Sequence, residues 1–167
     1  MDIILIAGCS QNGIIGADNE IPWREPEDLK NFKEETKGHV VLMGRKTWES
    51  LPRKPLPDRY NLVLTNQYGY QKVGAQTVHS PLEAIEICNS KKIEKMFIIG
   101  GAEVYKAFKP YATKLILSVI DYNVMGDTFW PWYWYSDIEG PEYLPSDFKL
   151  VSSKVFTNFD VFYCEKK

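Results

Sequence analysis

The sequence predicts an α/β fold: a mainly parallel central sheet, about four flanking helices and an antiparallel C-terminal hairpin. Three observations lead there. Ile3-Ile4-Leu5-Ile6-Ala7, Val40-Val41-Leu42-Met43 and Met96-Phe97-Ile98-Ile99 are unbroken apolar runs, which suit strands covered on both faces. Segments with helix-start signals separate such runs, the pattern of parallel strands joined through helices. The tail instead alternates on both sides of Thr157-Asn158, as the strands of a hairpin do. No repeat, composition shift or low-complexity stretch divides the chain, so residues 1–167 read as one domain.

The first run predicts a strand in the middle of the sheet, with Gly8 thinning the backbone just beyond it. Residues 11–23 carry Asn12, Gly13, Gly16, Asn19 and Pro22 with isolated aliphatics between them, and predict a long loop of the kind that forms lids. Pro26 then suits a first helical turn. The helix turns Leu29, Phe32 and Thr36 inward and ends near Lys37-Gly38. Asp28 lies one turn above Phe32, on the edge of that face. An acid in a first turn is favoured by the helix dipole, and equally it can lean into an apolar cleft.

Val40 to Met43 is the second strand, followed by a helix start at Gly44-Arg45-Lys46-Thr47. A proline-rich connector ends at Arg59, Leu62-Val63-Leu64-Thr65 is a third strand, and Gln76-Thr77-Val78-His79 a fourth. Ser80-Pro81-Leu82-Glu83 is a capping box, and its helix carries Leu82, Ile85 and Cys88 on one face. Met96 to Ile99 is the fifth strand, and Gly100-Gly101 opens a helix that Pro110 stops. Residues 115–121 are the sixth, before the hairpin.

A chain of 167 residues, 44% hydrophobic and 25% charged, has the composition of a soluble globular protein. Its net charge of −2 offers no basic field to a nucleic acid. Cys9, Cys88 and Cys164 sit in apolar runs without zinc-type spacing, which predicts buried reduced thiols and no metal centre. No signal-peptide pattern and no membrane-length apolar run is present, so a cytoplasmic protein without a membrane partner is expected. With His39 and His79 as its only histidines, the chain gives little support to Ser-His or Cys-His nucleophiles.

Two strand-to-helix junctions have ligand chemistry. At Gly44-Arg45-Lys46-Thr47, free N–H groups, two cations and a hydroxyl outline a phosphate site, or else a plain turn with solvated charges. At Gly100-Gly101 the backbone can lie close to a flat or anionic group, or simply pack tightly. Neither G-x-G-x-x-G nor a Walker motif is present, which argues against a Rossmann site and against phosphoryl transfer. Two separate anion-friendly turns suit the several phosphates of one extended cofactor.

Several short pieces, in this order and spacing, resemble the dihydrofolate reductase family: Ile15-Gly16, Ile21-Pro22-Trp23, Pro26-x-Asp28-Leu29-x-x-Phe32-Lys33, Met43-Gly44-Arg45-Lys46-Thr47-Trp48-Glu49-Ser50, Leu56-Pro57-x-Arg59, Ile99-Gly100-Gly101 and Gly126-Asp127-Thr128. The resemblance covers most of the chain. It implies NADPH-dependent reduction of dihydrofolate, with hydride passing to C6 and water protonating N5. Asp28 takes the place of the family's acid in the pterin pocket, Ser118 that of the hydroxyl supporting it, and Trp23 that of the tryptophan holding ordered water. Ile6, Ala7, Leu29, Phe32, Leu51, Leu56 and Ile99 become substrate-pocket residues. Arg59 becomes the clamp on the substrate's α-carboxylate, with Lys33 and Arg53 at the rim.

For the cofactor, the resemblance implies Ala7, Ile14, Gly16, Asn19 and Glu20 on the nicotinamide side. It implies Gly44, Arg45, Lys46 and Thr47 at phosphates, and Leu64, Thr65, Asn66 and His79 toward the adenosine. Ile99, Gly100, Gly101, Ala102, Glu103, Val104 and Tyr105 line the pyrophosphate and ring. The loop 11–23 becomes a lid that Asp127 steadies. It also implies an antifolate target, and one compact domain with a self-contained site suggests a monomer. Glu103, an acid beside the glycine pair, departs from the pattern. The segment Trp130-Pro131-Trp132-Tyr133-Trp134-Tyr135 is unassigned, either local packing or a sticky patch. A pyrimidine reductase of the same fold and a non-enzymatic folate-binding or assembly protein are the alternatives; the Asp28 carboxylate on the helix with Phe32, together with Arg59, speaks against the former.

Overall fold

The computed structural model describes residues 1–167. In chain order, β1 (Asp2–Ser10) leads through a short β2 (Ile14–Gly16) to helix α1 (Pro26–Thr36). Next come β3 (Val40–Gly44), α2 (Arg45–Ser50), β4 (Tyr60–Leu64), β5 (Ala75–Val78), α3 (Pro81–Ser90), β6 (Lys95–Ile98), α4 (Ala102–Phe108) and β7 (Lys114–Ile120). Three short strands, β8 (Thr128–Phe129), β9 (Trp134–Ser136) and β10 (Gly140–Glu142), precede β11 (Phe148–Val155) and β12 (Phe159–Lys166).

Eight strands form one sheet in the order β11-β12-β7-β1-β6-β3-β4-β5. β12 runs antiparallel to both of its neighbours, and every other pairing is parallel. Strand β1 is central, as its apolar run predicts. Its side chains alternate between two buried clusters: Ile3, Leu5 and Cys9 pack on one face with α3 and α4 residues Ala84, Cys88, Tyr105 and Phe108. Ile4 and Ile6 pack on the other in a cluster that includes Trp48 of α2, and Phe32 of α1 packs against that cluster.

Four expectations change. The loop 11–23 contains β2, which pairs with β8, and an isolated Ala17–Glu20 bridge follows it. β9 and β10 are a further hairpin that no strong alternation announces. On α3 the buried residues are Ala84 and Cys88, while Leu82 is exposed, because Pro81 and the capped first turn leave that residue outside the sheet contact. On α1, Leu29 is 56% exposed and only Thr36 is fully buried. All three cysteines are free and buried. No helix is long and apolar enough to cross a membrane.

Candidate active site

The site begins where the sheet splays. β1 and β6 stay in register only as far as Leu5 and Ile98. Beyond that, the chain after β6 keeps to β3: Ile99 N donates to Leu42 O at 2.9 Å and Gly44 N to Gly100 O at 2.9 Å. The Ile6 carbonyl left on the β1 side accepts from the buried Tyr105 hydroxyl at 2.8 Å. A crevice at the carboxyl ends of strands, at the point where the strand order reverses, is the usual ligand position in such sheets.

Asp28 stands at one side of this region. The Ser118 hydroxyl donates to Asp28 Oδ1 at 2.7 Å, tying the first turn of α1 to β7. A methyl placed on Gly8 would lie 3.4 Å from both Asp28 Oδ2 and Trp23 Cζ2, and 3.9 Å from Ser118 Cβ. The carboxylate, indole and hydroxyl therefore converge over one bare stretch of β1, where a methyl would just touch them. Burial pushes the Asp28 carboxyl above its ordinary value, the Ser118 hydrogen bond opposes this, and the nearby Glu25 charge adds to it. Ser118→Ala is accordingly expected to raise the pH at which Asp28 ionises, measured by carbon-13 NMR titration of the labelled carboxyl.

Trp23, Phe32, Leu51, Leu56 and Ile99 are half-buried and pack against the same buried cluster as Ile6. Residues that keep one face in the core and leave another uncovered are what a pocket wall requires. Arg59 borders them. Its Nε donates to Pro57 O at 2.9 Å, its Nη1 to Thr36 Oγ1 at 3.0 Å, and its guanidinium lies 5.9 Å from the centre of the Phe32 ring. Burial lowers its pKa, and Asp58 works against that. Lys33 and Arg53 are exposed.

The two anion-friendly turns are neighbours. Gly44 and Gly100 share the hydrogen bond above, and a methyl on Gly101 would meet only Thr47 Oγ1, at 3.8 Å. α2 and α4 both start without a side-chain cap, so their first N–H groups face outward unpaired by side chains. Gly100 has φ +123°, a conformation that side chains rarely allow, which accounts for glycine at that position. Lys46 and Glu103 are exposed, and the latter pairs with Lys106 at 3.1 Å, so its charge is answered within α4. Ala102 and Val104 are half-buried, whereas the Tyr105 side chain is in the core.

Arg45 is already engaged: its Nη1 lies 3.0 and 2.9 Å from the two Glu49 oxygens, and Glu49 also accepts from Tyr70 at 3.2 Å. Leu64 is half-buried, Thr65 buried and Asn66 exposed. His79 closes β5, its Nδ1 2.8 Å from Thr65 O and its ring stacked on Tyr68 at 4.4 Å. A groove lined by Tyr70, Lys72, Thr77 and His79 adjoins them. Of these four, sequence reasoning singled out only His79.

The lid is pinned at its root and at its hairpin tip. Gly126 leaves no room for a side chain, since a methyl there would lie 2.6 Å from Gly16 O. Asp127 N donates to Gly16 O at 3.1 Å, and Asp127 Oδ2 accepts from Asp18 N at 3.0 Å. Asp18 and Asn19 both have positive φ, the two-residue hairpin turn that Asx residues tolerate. Ile14 is buried, Gly16 half-buried, and Asn19 and Glu20 exposed at the turn. At the root, the buried Ser10 hydroxyl accepts from Ile14 N, and Asn12 bonds to both N and O of Val124.

A family profile described as Dihydrofolate reductase matches residues 2–154. A dihydrofolate reductase of Neisseria gonorrhoeae is 47% identical over 131 residues, 78% of this chain and 80% of that protein. One of Bacillus subtilis (strain 168) is 39% identical over 152 residues, 91% of this chain and 83% of that protein. A solved dihydrofolate reductase structure from Enterococcus faecalis, complexed with NADP(H) and RAB-propyl, superposes with a TM-score of 0.83 at 29% identity. That match covers 99% of this chain and 96% of the other.

Proposed function

This chain belongs to the dihydrofolate reductase family, and on that premise we propose that it reduces dihydrofolate to tetrahydrofolate with NADPH, its 167 residues acting as one domain. The observation that carries the reading is the Asp28 carboxylate, half-buried, fixed by Ser118 at 2.7 Å and bordered by uncharged surface at Gly8 and Trp23.

Asp28 accepts two parallel hydrogen bonds, from N3–H and the 2-amino group of the pterin, which orients the ring and polarises it. N5, the atom to be protonated, lies on the far side of that contact, so water brings the proton while Asp28 biases the electronics. Trp23 holds that water in place. Phe32, Leu51, Leu56 and Ile99 exclude bulk solvent from the ring and the aminobenzoyl group, and Arg59 takes the α-carboxylate at the outer end. Its planar fork is pre-set by Pro57 O and Thr36 Oγ1. Arg59→Lys is expected to raise KM for dihydrofolate at least about tenfold with a smaller change in kcat, read by steady-state kinetics.

NADPH, when bound, supplies the hydride that passes to C6. The bare Gly101 face beside Thr47 and the uncapped starts of α2 and α4 fit its phosphates. Arg45 would reach a 2′-phosphate in exchange for part of its pairing with Glu49. The lid, tethered by Asp127, closes over the reacting ring. Loss of NADPH absorbance on adding dihydrofolate tests the reading; no loss, with folate still bound, would overturn it in favour of a binding protein.

A further inference from the structure

Glu25 stands at the N-cap of α1, where a side-chain oxygen usually accepts from an N–H one turn inside the helix. Its carboxylate makes no such bond. Its carbonyl does cap, accepting from Asp28 N and Leu29 N, both at 3.1 Å, so the carboxylates of Glu25 and Asp28 belong to the same helical turn. The Glu25 side chain is held from across the cleft instead: the Tyr122 phenol donates to its Oε1 at 3.4 Å. Tyr122 lies two residues past β7, the strand that supplies Ser118. Two hydroxyl–carboxylate pairs, Ser118–Asp28 and Tyr122–Glu25, thus tie one turn of α1 to one end of β7. The Tyr122 carbonyl also accepts from Gln11 N at 3.1 Å, at the root of the lid.

We propose that Glu25 is a positioning residue of the substrate pocket, a second negative charge that Tyr122 holds in the same turn of α1 as Asp28 and that acts on the pocket through Asp28. The inference rests on the reductase reading for its purpose: dihydrofolate reduction takes up a proton, and a second negative charge beside Asp28 raises the proton affinity of the pocket where that happens. Around Asp28, β7 contributes Ser118, β1 contributes Gly8, the lid contributes Trp23 and α1 contributes Glu25. No cation is among them, so the like charge of Glu25 is answered only by hydrogen bonds. That charge acts on the Asp28 carboxyl in the same direction as burial. Facing Glu25 itself is the Tyr122 phenol, whose own ionisation burial and Glu25 together disfavour, so it stays a donor.

The test is a carbon-13 NMR titration of the Asp28 carboxyl in the free protein, with Asp28→Asn assigning the resonance. Glu25→Gln is expected to lower its midpoint by about half a pH unit, the size of one like charge a helical turn away in a wet cleft. Tyr122→Phe should lower it by less, because the carboxylate is released rather than removed. Glu27→Gln, an exposed acid of the same turn, should leave it in place. High salt should narrow the gap between wild type and Glu25→Gln. An unmoved midpoint in Glu25→Gln, or an equal shift in Glu27→Gln, would overturn the proposal. This titration needs no turnover, so it can fail while dihydrofolate is reduced normally, and it can succeed in a protein that does not reduce it. In an active enzyme the falling limb of the pH–rate profile should move down with the same variant.

Discussion

Asp28→Asn is expected to cut dihydrofolate reduction at neutral pH by about 10²–10⁴-fold while leaving the fold intact. An amide offers one acceptor oxygen and turns an NH₂ group toward the two donors of the pterin edge, so one hydrogen bond becomes a donor–donor clash. The Ser118 hydroxyl can still donate to the remaining oxygen, so the tie between α1 and β7 survives. Stability should hold or rise, and the sign follows from the carboxyl itself. Its pKa is raised in the folded chain, so the folded state binds the proton more tightly than the unfolded one. The stability this lends is present below the ordinary carboxyl range and is lost as pH climbs through the raised value. At pH 7 the wild type therefore carries an unfavourable buried charge that the amide lacks. Steady-state rates and thermal melts on the same samples check both halves. Near-wild-type turnover would remove Asp28 from the role given it, and a lower Tm would show the carboxylate to be structural.

What the sequence disclosed and what it hid divide along a physical line. The unbroken apolar runs of β1, β3 and β6 were legible because burial on both faces leaves no polar residue to break them. Asp28, Arg59 and the glycine pair stood out as candidates because each sits in a motif whose spacing is local. Pairings between remote segments were not. β2 has three residues and β8 two, too few to show a period, and each exists because the other is there. The Arg45–Glu49 pair spans four residues of α2 and its spacing was available, yet the motif drew attention to the arginine alone. The capping box at Ser80 was half right. Ser80 Oγ accepts from Glu83 N, but the Glu83 carboxylate returns to His79 N rather than to Ser80 N. Glu25 belongs to no local pattern, and only the position of Tyr122, 97 residues away, gives it a partner.

Trp130→Ala is expected to cost about 3–5 kcal/mol of stability, the loss of a large buried side chain together with the cavity it leaves. For a chain of this size that corresponds to a fall in Tm on the order of 10 °C. Trp130 is 1% exposed and opens the aromatic segment, which settles one half of the choice between packing and patch: the ring is core, with Tyr105 and Trp132 edge-on at 5.2 and 5.0 Å. Trp134 and Tyr135, further along, are exposed. The indole also fastens the lid. Its Nε1 donates to Tyr143 O at 2.6 Å, the Tyr143 hydroxyl donates to Gln11 O at 2.7 Å, and Trp130 N donates to Gly13 O at 2.8 Å. Tyr133 covers Gly13 so closely that a methyl there would fall 2.2 Å from its ring. Trp130→Phe keeps most of the volume and drops only the N–H, leaving the Tyr143 carbonyl without its donor, so its cost should be nearer 1–2 kcal/mol, an order-of-magnitude figure of about one buried hydrogen bond. The pair separates core from tether. If Trp130→Phe raises KM for NADPH while its melt stays close to wild type, the bond to Tyr143 serves the lid. If KM moves only in Trp130→Ala and in step with the melt, the segment serves the core, and the lid is governed from Asp127 alone.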